Sequence, residues 1–148
     1  VSKSLTPSPL RRALQKYVDA RHAAMIEARR ELKIGELDAR ALLFIADNPG
    51  ARPTQLRQYL GITSAGVTTL IDRLVEREAV RRDVDPDDRR VNRITVTVDL
   101  GELPWSALQR FDNDFDRAVA AGDREHTAHF ARTLDDFTAA VASMARAS

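Results

Sequence analysis

Between residues 63 and 98 the apolar pattern changes its period, and few folds accommodate that change in so short a span. The first half places Val67, Leu70, Ile71, Leu74 and Val75 at the three- and four-residue spacing of one helix face. The second half sets Val91, Ile94, Val96 and Val98 among Arg, Asn and Thr, close to the alternation of a half-exposed strand. Between them stands Asp85-Pro86-Asp87-Asp88-Arg89-Arg90, turn-forming residues followed at once by two fixed positive charges. A helix running into a short hairpin with a basic tip is the result. Neither piece buries its apolar face alone, so the flanking chain must supply the rest of the core.

Upstream, residues 1–9 hold two prolines, three serines and a threonine and read as a flexible lead-in. A helix is expected from Leu10 to about Leu32, with Leu10, Leu14, Tyr17, Arg21 and Met25 on one stripe. Gly35 interrupts it, and Asp38 is the expected N-cap of a second helix that carries Leu42, Leu43 and Ile45 and ends near Asp47. Asn48-Pro49-Gly50 stops that helix. A third, short helix starts at Pro53 or Thr54, carries Leu56, Tyr59 and Leu60, and turns at Gly61; Thr63 caps the fourth. Helix, glycine turn and helix over 53–77 make a helix-turn-helix, whose second helix enters the major groove of DNA. With Val67, Leu70, Ile71 and Leu74 inward, that helix presents Ser64, Ala65, Thr68, Thr69, Asp72 and Arg73. Small residues at its start permit close approach, its N-terminus favours a phosphate, and its Thr and Arg side chains suit base edges.

Downstream, residues 99–104 form a connection, and Pro104 is placed to begin a helix with Trp105, Leu108, Phe111, Phe115 and Ala118 on one face as far as Gly122. Asp123 caps a last helix whose series Phe130, Leu134, Phe137, Val141, Met144 steps by four, three, four and three, the spacing of a coiled-coil seam. The expected fold is mainly α with a small β-wing: a winged helix-turn-helix over 35–98, flanked by a helix over 10–34 and C-terminal helices over 99–148. Long apolar helices on both sides of the module need a partner surface.

Composition narrows the function classes. Cysteine is absent, which removes disulfides, thiolate metal sites and thiol redox chemistry together. No apolar run approaches the roughly 18 residues that span a bilayer, and the N-terminus lacks a signal-peptide core, so a cytoplasmic protein without membrane contact is expected. Net charge is only +1, so attraction to nucleic acid must be local. Between 52 and 93 nine arginines face seven carboxylates, a surplus of two, and placement therefore matters more than the sum. His126 and His129 lie three apart, with Glu125 beside them and His22 far away in sequence; this leaves a tetrahedral metal site incomplete, and no metal or cofactor is expected. Ser64, the histidines and the carboxylates offer no nucleophile–base–orienter pattern, and no glycine-rich phosphate loop is present, so the chain does not read as an enzyme.

The stretches GITSAGVTTLIDRLVERE and AVRRDVDPDDRRVNRITVT resemble the MarR family of bacterial transcriptional regulators. The family shows a similar recognition-helix phrase followed by a wing with Asp-Pro-x-Asp-Arg-Arg before a strand, and specific motifs cover residues 53–97. The resemblance implies a homodimer in which the terminal helices of both subunits intertwine. The seam residues would be Leu10, Leu14 and Tyr17 with Phe130, Leu134, Phe137, Val141 and Met144. Two recognition helices would then meet successive major grooves of double-stranded DNA at an inverted repeat, roughly one helical turn apart. Thr63, Ser64, Ala65, Thr68, Thr69, Arg73, Arg89 and Arg90 would contact it. The resemblance further implies that Arg89 reaches the minor groove, that Asp88 with Arg90 stabilises the wing, and that a small-molecule effector pocket involves Trp105, Phe111 and Phe115. The function implied is a repressor released by a ligand; the alternative is a MarR-like dimeric protein-interaction module with weak or no specific DNA binding.

Four departures from the family pattern accompany the likeness. Thr69 stands where Arg is frequent. Glu78-Ala79-Val80 replaces Gly-Leu-Val, so Glu78 should strain the turn or change its geometry. Arg57 occupies the place of a small Ala packed between two helices, and residues 98–101 lengthen the link after the wing.

Overall fold

A computed structural model describes residues 4–148. In chain order the elements are α1 (Pro9–Leu32), α2 (Glu36–Asp47), α3 (Pro53–Leu60), α4 (Ser64–Glu76), β1 (Val80–Val84), β2 (Asn92–Val96), a 3-10 turn (Trp105–Gln109), α5 (Arg110–Ala120) and α6 (Arg124–Ala147). The protein is thus mainly helical with one two-stranded antiparallel sheet. It divides into two compact units, one ending at Arg110 and the other comprising Phe111–Ser148. No helix among the described residues is long and apolar enough to cross a membrane.

Helix ends follow their local chemistry. Residues 1–3 of the expected lead-in lie outside the described residues, and residues 4–8 carry no regular structure. Ser8 caps α1 by accepting from the Arg11 N–H at 3.1 Å, with Pro9 in the first turn. Lys33 closes the helix in the left-handed region at φ 55°. At the third helix, Gln55 reaches back to accept from the Arg52 N–H at 2.8 Å, and Gly61 ends it at φ 67°. Thr63 caps α4 as expected, its hydroxyl accepting from the Gly66 N–H at 3.0 Å.

The second helix differs from expectation. It begins at Glu36 with Gly35 as its cap, and Asp38 is buried instead of capping. The reason is a distant partner, Arg73 on α4, which draws the carboxylate inward.

The core of the first unit is built from Leu42 and Ile45 of α2, Leu56 of α3, and Val67, Leu70, Ile71 and Leu74 of α4, all nearly inaccessible to water. Met25, Ala28 and Leu32 bury the C-terminal half of α1 against the same cluster. Each fully buried Val, Leu, Ile or Met side chain contributes about 1.5–3 kcal/mol by its removal from water. Strand β2 closes one side through Ile94, whose N–H donates to the Ala51 carbonyl at 2.8 Å. Val80 pairs with Val96 and Val84 with Asn92, so the hairpin opens away from the core toward its tip.

Two packing expectations are corrected. Arg57 is exposed and does not lie between α3 and α4, since Leu56 and Leu60 fill that space. Tyr59 is half-exposed, stacked on Phe44 at 4.5 Å, with the Arg40 guanidinium 5.6 Å from its ring centroid.

The segment after the wing also differs. Instead of one helix from Pro104 to Gly122, a 3-10 turn precedes α5, and its tighter repeat rotates the apolar face between them. Leu108 is accordingly buried in the first unit, where the 3-10 turn packs on α1. Phe111 and Phe115 stack on each other within the second unit, ring centroids 6.5 Å apart. In that unit Asp123 caps α6 through the His126 N–H at 2.8 Å, as its position predicts. Neither α5 nor α6 contains a buried residue.

Candidate nucleic-acid interface

The first two turns of α4 present a face of small side chains. Thr63, Ser64, Ala65, Thr68 and Thr69 are all exposed, while Val67, Leu70 and Ile71 hold the opposite face in the core. Gly66 sits between these faces, where a Cβ would lie 3.2 Å from the capping Thr63 hydroxyl oxygen. The two threonine hydroxyls are turned back along the helix: Thr68 donates to the Ser64 carbonyl at 3.1 Å and Thr69 to the Ala65 carbonyl at 3.0 Å.

The charged residues farther along α4 serve a different purpose. Arg73 forms a two-pronged ion pair with Asp38, Nε to Oδ2 at 3.1 Å and Nη2 to Oδ1 at 2.6 Å. The Asp38 side chain keeps only 10% of its accessible surface, whereas half of Arg73 remains exposed. Asp72 accepts from Arg82 on β1, tying the helix to the wing base. Arg77, which closes the helix, donates to the Leu32 and Lys33 carbonyls at 2.7 and 3.0 Å and lies over the Trp105 ring at 5.5 Å. These contacts clamp α4 to α2, to β1 and to the end of α1. None of the three could be read from local spacing, because the partners lie up to 45 residues apart.

The wing tip is held by Asp85, the least exposed residue of the hexapeptide. Its Oδ1 accepts from the backbone N–H of Asp87 at 2.8 Å and of Asp88 at 3.3 Å, and its Oδ2 from Arg93 Nε at 2.6 Å. Arg93 also donates to the Gly50 carbonyl at 3.2 Å, which ties the tip to the body of the domain. The Asp87 N–H and the Arg93 guanidinium hold the Asp85 carboxyl below the ordinary carboxylate range.

Asp88 and Arg90 do pair, Nε to Oδ1 at 3.1 Å, and the Arg90 side chain and N–H lower the Asp88 pKa as well. This pair is local to the tip, with Arg90 almost fully exposed, while Asp85 ties the tip to Arg93 and through it to the body of the domain. Sequence held a clue: Asp two residues before Asp87 is placed for a turn in which its carboxylate accepts the following N–H groups. Arg89 lies at the tip, exposed and without a hydrogen-bond or ion-pair partner among the described residues.

A small-residue helix face beside a hairpin that carries an exposed arginine is the surface of a winged helix-turn-helix. The model of the MarR family matches residues 34–91. Over those residues the chain is similar to the MarR family. Solved structures similar in fold extend the likeness beyond the matched residues. A mutant MepR from S. aureus bound to an oligodeoxyribonucleotide is 20% identical with a TM-score of 0.57, over 93% of this chain and 99% of that one. FabT of Streptococcus pneumoniae in complex with DNA is 18% identical with a TM-score of 0.63, covering 90% and 98%. A mutant MarR from E. coli is 18% identical with a TM-score of 0.61, covering 90% and 99%. Comparison with curated sequences gave no match.

The aromatics expected to line an effector pocket fall in different units, Trp105 in the first and Phe111 with Phe115 in the second. An open cleft of about 590 Å³ lies instead beside the end of α4, lined by Lys33, Gly35, Asp38, Arg73 and Arg77 among others. Among the described residues no three His, Asp or Glu side chains are grouped to hold a metal.

Proposed function

We propose that this protein is a sequence-specific DNA-binding transcriptional regulator that engages an inverted repeat as a homodimer and is released by a small ligand. The observation that carries the reading is the pairing of two surfaces in one unit. The exposed face of the first turns of α4 carries only small side chains, and Arg89 has no partner among the described residues on the adjoining wing. A duplex whose major groove receives α4 would meet the wing at its backbone or minor groove, where a narrow A·T tract attracts an arginine. Two structural neighbours were solved with DNA, which supports the same reading.

The dimer is supported by α6. Phe130, Phe137, Val141 and Met144 follow its seam spacing and are each at least half-exposed, a pattern that a second copy would cover. Leu10, Leu14 and Tyr17 continue the partly exposed stripe on α1. Release by a ligand is supported by the cleft beside Arg73 and Arg77, whose volume suits a small molecule. Such a ligand acts through unequal affinity for two conformations, one with the recognition helices spaced for successive grooves.

Selection of bound fragments from random duplex DNA, followed by a salt titration, tests the reading. A recovered inverted repeat with a steep salt dependence is expected. Arg89→Ala should weaken binding and reduce the salt slope by about 1. No enriched sequence and only nonspecific affinity would leave the protein-interaction module as the better account.

A further inference from the structure

We propose that α4 reads thymine methyl groups through Thr68 and Thr69. This rests on the DNA-binding reading above and narrows it to a class of base pair.

The charged side chains Asp72 and Arg73 of α4 are tied to neighbouring elements. Arg73 commits its Nε–H and one Nη2–H to the two oxygens of Asp38, which fixes the direction of its guanidinium and leaves only the N–H groups of its far edge for other partners. Turning Arg73 outward would leave that largely buried carboxylate without its cation. Asp72, which could accept from cytosine N4, is held by Arg82, and Arg77 is fixed on the end of α1 and on Trp105.

The hydroxyls are engaged as well. A threonine has one hydroxyl hydrogen, and in Thr68 and Thr69 it is directed to the carbonyl four residues back. Neither side chain is therefore a donor to guanine N7 and O6 or to thymine O4. Each retains a Cγ2 methyl and an oxygen lone pair. Ala65 adds a third methyl on the same face, three and four residues before them. In the major groove only thymine displays a methyl, and its partner adenine displays an N6 donor that a hydroxyl oxygen can accept. An uncharged, methyl-bearing face thus complements an A·T pair.

Deoxyuridine keeps every hydrogen bond of thymine and removes only the methyl. In the duplex recovered by selection, each thymine is replaced singly by deoxyuridine and binding is measured. One or two positions per half-site should lose about fourfold in affinity, the value of one buried methyl-sized group. Thr68→Ser and Thr69→Ser, which keep the hydroxyl, should erase the sensitivity at their own positions. Thr68→Val and Thr69→Val, which keep the methyl, should preserve it. Indifference to deoxyuridine at every position, or sensitivity unchanged in the serine variants, overturns the proposal and leaves DNA binding standing. Failure to recover any bound sequence overturns both.

Discussion

At the scale of single residues, Glu78 shows how a departure from a family pattern becomes a measurable strain. It lies at φ 58°, in the left-handed region where a side chain costs about 1–2 kcal/mol. Two bonds hold it there: its N–H donates to the Val75 carbonyl at 2.9 Å, and its carbonyl accepts from the Thr97 hydroxyl at 2.7 Å. Glycine would remove the steric cost but add about 0.5–1 kcal/mol of unfolded-chain entropy. Glu78→Gly should therefore stabilise the fold by up to about 1 kcal/mol in urea unfolding, whereas Glu78→Val, branched at Cβ, should destabilise it by about 1 kcal/mol or more. A glycine variant less stable than the parent would show that the glutamate side chain, not its backbone angle, governs this corner. Glu78 was legible because the turn is local and its family pattern calls for glycine. Asp38 was misread as a cap for the opposite reason: its carboxylate answers to Arg73, 35 residues away, and no local spacing reports such a partner.

At the scale of elements, the end of α3 and the starts of α4 and α6 were legible, because Gly61, Thr63 and Asp123 cap them by chemistry written beside each end. The 3-10 turn was not, since three- and four-residue repeats share the same apolar positions over five residues. The wing was legible as a hairpin, but the role of Asp85 among the three aspartates of its hexapeptide rests on Arg93, eight residues away, as well as on the turn. The Asp85 carboxyl is lowered by the Asp87 N–H and by Arg93, and that of Asp88 by Arg90. A depressed acid stabilises the folded state above its unfolded pKa, near 3.9, and that contribution is lost as pH falls through the folded value. Amide exchange in the wing should thus be insensitive to the titration of these acids between about pH 5 and 8, with the tip loosening below about pH 4. Asp85→Asn should speed exchange at the tip already at neutral pH and blunt the acid response. Unchanged exchange in that variant would return the anchor to Asp88.

At the scale of the whole molecule, the second unit carries the prediction. Helices without a buried residue and with a regular apolar seam have their complement elsewhere, and a second copy of this chain is the proposed one. Sedimentation should show a dimer, and replacing Phe137 and Val141 together by glutamate should weaken self-association at least about tenfold, as loss of central contacts does. The thermal midpoint of the parent should rise with protein concentration, and a concentration-independent monomer would remove the two-groove geometry. The clamp at the end of α4 has a further use. Trp105, over which Arg77 lies, is the chain's single tryptophan. Its fluorescence is consequently a label built into the joint where the recognition helix, α1 and the 3-10 turn meet. Emission recorded during a titration with duplex or ligand would report movement at that joint without any probe being attached, and the Arg77→Met variant would calibrate how much of the signal comes from the cation above the ring.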